Sequence, residues 1–303
     1  MKHWIQAFRL RTLPLAVSSI LVGSALAHDQ AYLLGWQSFS HNVFYLAILT
    51  AVLLQILSNL ANDLGDHQHG TDNKDRLGPQ RSVQSGAISA KSMKRAMVIC
   101  SLLAFVSGIA LITTALGLTL ATLAFLMVGL TAIGAAVKYT FGKNPYGYAG
   151  LGDISVFFFF GIVGVCGTYF LHTHHLSAAL LLPASAFGLL SSGVLNVNNM
   201  RDITNDAVSG KRTLVVRMGA ANAKIYHSVL VGGAMLCLVG FALMTATTWP
   251  RWLFLLVIPG FIIHLKRVWT TKEPRDLDPQ LKVLAMGTFF TALLFSLGLI
   301  LAV

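Results

Sequence analysis

The chain has 303 residues, of which 55% are hydrophobic and only 11% charged, with a formal net charge of +11 at pH 7. Its mean hydropathy of +0.69, set against roughly 25% charged residues in an ordinary soluble domain, excludes a water-soluble protein and makes lipid the main solvent. The surplus of positive charge would suit nucleic acid only as one accessible patch with base-reading elements.

Apolar windows near the roughly 20 residues that cross a bilayer give nine spans, at 13–28, 43–61, 97–116, 118–137, 153–171, 177–199, 225–247, 252–265 and 283–302. Lys2, Arg9 and Arg11 precede an apolar run ending Ser24-Ala25-Leu26-Ala27, the outline of a cleavable signal peptide. Pro14, at a tolerated first-turn position, marks that run instead as a retained first span. Twenty-one of the 22 Lys and Arg fall before span 1 or in every second connection, with Arg251 the exception. The positive-inside rule then puts the N-terminus in the cytoplasm and the C-terminus outside. Topology thus accounts for the charge, and no nucleic acid is expected. Cys100, Cys166 and Cys237 lie singly in separate spans, without disulfide or zinc-ligand spacing.

The acids are as unevenly placed as the cations. Ten of the 11 lie on the cytoplasmic side of this topology, namely Asp63, Asp66, Asp72, Asp75, Asp153, Asp202, Asp206, Glu273, Asp276 and Asp278; Asp29 alone is outside. Span 2 ends in Asn62-Asp63-Leu64-Gly65-Asp66-His67-Gln68-His69-Gly70-Thr71-Asp72, and span 6 in Asn198-Asn199-Met200-Arg201-Asp202-Ile203-Thr204-Asn205-Asp206. Asp63 and Asp66, three apart, share a helical face, as do Asp202 and Asp206, four apart. Each segment then runs on through Gly to a Thr and a basic stretch. The repetition predicts one membrane domain of two four-helix halves, about 1–150 and 151–265, plus a ninth helix at about 283–302.

Two carboxylates about 6 Å apart repel by roughly 3 kcal/mol at an effective dielectric near 20, so four converging ones call for a cation. Hard oxygen donors, with Asn62 and Asn199 alongside, fit Mg²⁺, which typically takes one or two carboxylates and completes its shell with substrate phosphate. Lys74, Arg76, Arg81, Arg201, Lys211 and Arg212 stand nearby to meet phosphate charge. A single such pair would read as a solvated ion pair worth about 0–1 kcal/mol; two similarly built pairs at corresponding helix ends read as a site.

At these residues the sequence resembles the UbiA superfamily of intramembrane aromatic prenyltransferases. One family motif lies on Asn62, Asp63, Asp66, Gly70 and Asp72. The other lies on Asn198, Asn199, Arg201, Asp202, Asp206, Gly210, Lys211, Thr213 and Leu214. Arg9-x-Arg11-Thr12-Leu13-Pro14 and Tyr148-Ala149-Gly150-Leu151-Gly152-Asp153 extend the likeness over nearly the whole chain, and the Gly70-Thr71-Asp72 and Gly210-Lys211-Arg212-Thr213-Leu214 continuations favour its naphthoate branch. The resemblance implies an all-α bundle of nine transmembrane helices around a cavity open to the cytoplasm and sideways to membrane lipid, in a bacterial inner membrane. It implies Mg²⁺ held by Asp63, Asp66, Asp202 and Asp206, and a polyprenyl diphosphate gripped by Asn62, Asn199, Arg81, Arg201, Lys211 and Arg212. The implied reaction attaches the prenyl group to 1,4-dihydroxy-2-naphthoate with loss of CO₂ and diphosphate, giving demethylmenaquinone.

Lys138 and Tyr139 close span 4 and are expected at the mouth, Lys138 as a charge partner and Tyr139 as a ring face for a cation or the acceptor. His67, His69, Asp72 and Asp153 are further candidates for holding substrate. Of Phe157 to Phe160, some wall the tunnel and some must face lipid or neighbouring helices, because successive residues point all round a helix. Transfer to 4-hydroxybenzoate or another phenolic acceptor is the competing reaction. A transporter is the competing class, and the near absence of charge in mid-span argues against it.

Overall fold

The computed structural model of the chain describes residues 2–33, 39–73, 77–245 and 248–302. Among the described residues there is no strand, and nine helices are long and apolar enough to cross a membrane. They are α1 (Lys2–Gln30), α2 (His41–Gln68), α3 (Ala90–Leu116), α4 (Leu120–Lys138), α5 (Gly152–Thr173), α6 (Ala178–Arg201), α7 (Leu214–Thr245), α8 (Trp249–Thr270) and α9 (Pro274–Leu301). Each expected span coincides with one helix. Most helices overrun their spans at the end that carries the two Asp motifs, called here the charged end. Hydropathy fades where side chains become polar, but the backbone ladder continues beyond that point because its hydrogen bonds are internal.

Several helices depart from regular α geometry, among them α8, whose Trp249–Val257 is wound as a 3₁₀-helix. Arg9 takes a left-handed conformation (φ 51°) and breaks α1. Gly219 (φ 79°) kinks α7 near its start. Phe157–Gly167 of α5 is wound as a π-helix, a form that is rare and often found at functional sites.

α6 is deeply enclosed: it packs on α5, α7 and α9 and buries Phe187, Leu190 and Val197 completely. α1 packs on α2, α5 and α9, while α2, α3 and α4 pack together. Lipid tails are as apolar as Leu, so these contacts rest on close fit and on polar ties rather than on hydrophobic driving force. The Asn59 amide, for example, donates to the Phe8 carbonyl at 2.9 Å and the Thr12 hydroxyl at 3.0 Å, joining α2 to the break in α1. At the opposite end, Asp29 and Arg251 form a buried ion pair between α1 and α8. These are the one acid and the one cation that the charge pattern sets apart from the rest.

Packing is missing along one seam. α4 packs on α2 and α3 but not along α5, and the gap opens into a cavity of about 250 Å³. Its lining is mostly apolar and small, with Gly129, Ala132 and Ala136 on α4 facing Phe159, Val163 and Gly167 on α5. The seam is bridged at both ends. At the charged end the Tyr146 hydroxyl donates to the Ala135 carbonyl and meets the Ser155 hydroxyl, each at 2.9 Å. At the other end Phe125 stacks on Phe170, with centroids 5.3 Å apart. Phe159 and Phe160 line the cavity, Phe157 lies against Gly188 of α6, and Phe158 is exposed. The expected division of that aromatic run is what the structure has.

Gly65, inside the first motif, lets the turn after α4 lie directly on α2. A Cβ there would stand 2.5 Å from the Thr140 carbonyl oxygen, a backbone atom that cannot swing aside. Gly65→Ala is therefore expected to destabilise the fold by about 1–3 kcal/mol, the usual cost of overpacking. Gly134→Ala, where nothing lies within 4 Å, is expected to be neutral. Thermal melts of both variants in the same detergent check the contrast.

Candidate active site

The two motif segments meet at the charged end. Each forms the same turn just after its second Asp. The Thr71 N–H donates to the Asp66 carbonyl at 2.9 Å, and the Lys211 N–H donates to the Asp206 carbonyl at 2.8 Å. Gly70 (φ 73°) and Gly210 (φ 74°) occupy the left-handed position before the closing residue. This is the six-to-one hydrogen bond of a glycine-capped helix end, which satisfies a terminal carbonyl and reverses the chain. The paired turns then dock on each other, with the Asn205 amide donating to the Thr71 carbonyl at 2.8 Å.

Lys211 lies in the middle of this contact. Its Nζ is 3.5 Å from Asp66 Oδ1 and 3.9 Å from Asp206 Oδ1, so carboxylates of both motifs share one ammonium. It also lies over the Tyr148 ring, 5.2 Å from the centroid, a cation–π geometry. Burial by itself would lower the Lys211 pKa, but Asp66 and Asp206 outweigh it and hold the ammonium above the usual lysine range. Tyr148 donates its hydroxyl hydrogen to Asp66 Oδ1 at 2.8 Å, so the Thr71 hydroxyl, 2.6 Å away, donates to Tyr148. Burial and the Asp66 charge push the Tyr148 phenol up. In the sequence Tyr148 stands out only as part of the Tyr148-Ala149-Gly150-Leu151-Gly152-Asp153 segment, and nothing in its spacing signals this partnership.

The four expected metal carboxylates do not gather as one set. Asp63, 1% exposed, accepts the backbone N–H groups of Ser82 at 3.2 Å and Val83 at 3.1 Å, and so anchors the loop after α2. Asp202 is engaged by Arg201, whose Nε and Nη2 both donate to it. Asp66 and Asp206 are the pair brought together. Among the described residues, no three His, Cys, Asp or Glu side chains stand close enough to hold a metal ion. The donors of the converging pair are hard oxygens, and they already surround a positive charge, which fits a divalent cation of the Mg²⁺ kind.

The expected diphosphate contacts also separate. Arg201 is wholly buried, with its donors taken by Asp202, Asp278 and Asn198, rather than turned to a ligand. A buried guanidinium needs compensating carboxylates, and Asp278 comes from α9, 77 residues away. Arg81 is half-buried, with Nε 3.9 Å from Asp72. Arg212 is exposed, while its backbone N–H holds the Tyr148 carbonyl. The Asn62 side chain accepts from Thr140 at 2.9 Å, and Asn199 is buried. Lys74, Asp75 and Arg76 lie outside the described residues.

Tyr139 lies where the polar cluster gives way to the cavity it helps to line. Burial, then the charges of Asp153, Tyr146, Asp66 and Asp206, raise its pKa well above the usual tyrosine value. Asp153 is buried and receives the Tyr226 hydroxyl at 3.3 Å. Lys138 is exposed, and its Nζ bonds the Lys143 carbonyl, closing the next turn instead of reaching the cluster. His67 is exposed; His69 is exposed too, meeting the Gly142 carbonyl at 3.0 Å.

A polar mouth over an apolar chamber inside a helical membrane bundle defines a protein that handles an amphiphile with a charged head. The model of the UbiA prenyltransferase family matches residues 16–294, and the chain belongs to that family. It is 46% identical to a 1,4-dihydroxy-2-naphthoate octaprenyltransferase of Haemophilus influenzae, over 99% of this chain and 96% of that one. The protein of the same description in Escherichia coli is also 46% identical, over 99% of this chain and 95% of that one. In fold it is similar to a UbiA homolog from Aeropyrum pernix, with a TM-score of 0.72, 15% identity, and 97% and 98% of the two chains covered. It is similar too to a UbiA homolog from Archaeoglobus fulgidus bound to DMAPP and Mg²⁺, with a TM-score of 0.63, 13% identity, and 97% and 99% covered.

Arg201 separates a structural from a ligand-binding role. Arg201→Met strips the counter-charge from Asp202 and Asp278, and is expected to cost about 3–5 kcal/mol of stability, read as a lowered thermal midpoint. A variant with native stability and lost activity would instead assign the guanidinium to substrate.

Proposed function

We propose that the protein transfers a polyprenyl group from polyprenyl diphosphate to 1,4-dihydroxy-2-naphthoate, with loss of CO₂ and diphosphate, to give demethylmenaquinone. The observation that carries this reading is the contact of Asp66, Lys211 and Asp206 at the charged end of the bundle, the end at which Tyr139 and Tyr146 line the apolar chamber. The 46% identity to relatives described as naphthoate octaprenyltransferases supports the choice of acceptor. Asp66 and Asp206 hold Mg²⁺, with Asp63 and Asp202 shaping the loops around them. When bound, the ion neutralises the diphosphate and stabilises it as a leaving group.

The chain's own residues do the rest. Lys211, Arg81 and Arg212 supply positive charge at the mouth, where preorganised donors act on charge that develops as the carbon–oxygen bond breaks. The chamber takes the prenyl tail and keeps water from the allylic cation. The Tyr139 ring, at the boundary, faces that cation or the naphthoate. The seam between α4 and α5 lets a long tail enter from the bilayer without leaving hydrocarbon. The matching turns at Asp66 and Asp206 support reading the chain as two halves that each give one carboxylate. The charge asymmetry of the connections supports a cytoplasmic mouth in a bacterial inner membrane.

Membranes containing the protein, given Mg²⁺, a polyprenyl diphosphate and the naphthoate, are expected to release CO₂ and form prenylated quinol. Asp66→Ala and Asp206→Ala are each expected to lower the rate by about 10²-fold or more, with membrane insertion intact. Product from 4-hydroxybenzoate alone would overturn the acceptor, and near-normal turnover in both variants would overturn the metal assignment.

A further inference from the structure

We infer that Lys211 is a positioning residue that keeps Asp66 and Asp206 in place while the site is empty, and yields their oxygens to the divalent cation. The inference deepens the proposed function and rests on its metal assignment.

Three features of the contact support an exchangeable cation. First, the separations of 3.5 and 3.9 Å exceed the roughly 2.7–2.9 Å of a direct charge-assisted hydrogen bond. The ammonium is therefore shared between the motifs and locked to neither. Second, the side chain is a lysine, a compact charge on a flexible four-carbon stem, and can retract where a forked guanidinium would stay. Third, a Cβ built on the preceding Gly210 would meet nothing within 4 Å, so the space beside the turn is open to a side chain that moves. Lys211 is also nearly buried, at 8% exposure. In so little solvent, the two carboxylates would repel strongly without a cation between them. An internal ammonium offsets one of the two negative charges that a divalent cation would offset in full, with the same two turns already docked. Displaced from the carboxylates, Nζ remains at the mouth as a donor for diphosphate.

The test uses the purified full chain in nanodiscs, with thermal midpoints titrated by MgCl₂ alone for the wild type, Lys211→Met and Lys211→Arg. Lys211→Met is expected to melt lower without Mg²⁺ and to recover as Mg²⁺ is added. Its half-saturation should fall about tenfold or more below that of the wild type, since the competing charge is gone. Lys211→Arg should keep the wild-type midpoint without Mg²⁺. An equal or weaker Mg²⁺ response in Lys211→Met overturns the inference. Should Lys211→Met fail to fold, the wild type carries the test alone: Mg²⁺ should speed acylation of the Lys211 amine, read by mass spectrometry, and unchanged labelling overturns the inference. If Mg²⁺ with inorganic pyrophosphate shifts the midpoint of neither the wild type nor Lys211→Arg, the metal assignment itself fails and takes this inference with it.

Discussion

Charge buried between two loops is the constraint on which this structure turns. Asp66, Asp206 and Lys211 are all nearly removed from solvent, at the end of the bundle where the helices give way to turns. Carboxylates in such surroundings are tolerable only when opposite charge or hydrogen-bond donors face them. The partners come from both motifs and from Tyr148 in the connection after α4, so satisfying the charges forces those segments into one place. The docking of the turns is a consequence of electrostatics as much as of packing.

The apolar half of the site follows from the opposite economy. Along α4 and α5 the side chains facing each other are mostly small, and the π-helical winding of α5 turns Phe159, Phe160, Val163 and Gly164 toward the same space. Neither helix fills the gap, and the seam is tied at its ends by Tyr146 and by the Phe125–Phe170 stack. A chamber of this shape suits a long hydrocarbon chain, while the ion cluster at its head suits a polyanion. One molecule with both characters fits both parts.

Much of this architecture was legible in the residues. Span number, the concentration of acids at one end and the pairing of Asn with Asp after spans 2 and 6 follow from hydropathy and spacing. The limits are physical. Helices that leave the hydrocarbon keep their ladders while their side chains turn polar, so α7 begins at Leu214 rather than near 225. Winding as a π-helix leaves no mark in composition. Spacing along a helix puts Asp63 beside Asp66, but it does not reveal that the Ser82 and Val83 N–H groups claim Asp63. Nor does it disclose that Arg201 is neutralised by Asp278 from α9, because such pairings depend on which helices become neighbours. The repeated Asp-x-x-x-Gly step was visible, and its meaning as a shared chain reversal emerged only with the backbone.

The central claim is that one cation-bearing diphosphate head sits between the two docked turns while its tail occupies the chamber walled by α4 and α5. A structure determined with Mg²⁺ and a non-hydrolysable polyprenyl thiodiphosphate tests it most directly. The account predicts metal density bridging Asp66 and Asp206, the diphosphate beside Lys211, and the first isoprene units against Tyr139. A diphosphate bound elsewhere in the bundle, or turns that part from each other around it, would contradict the account.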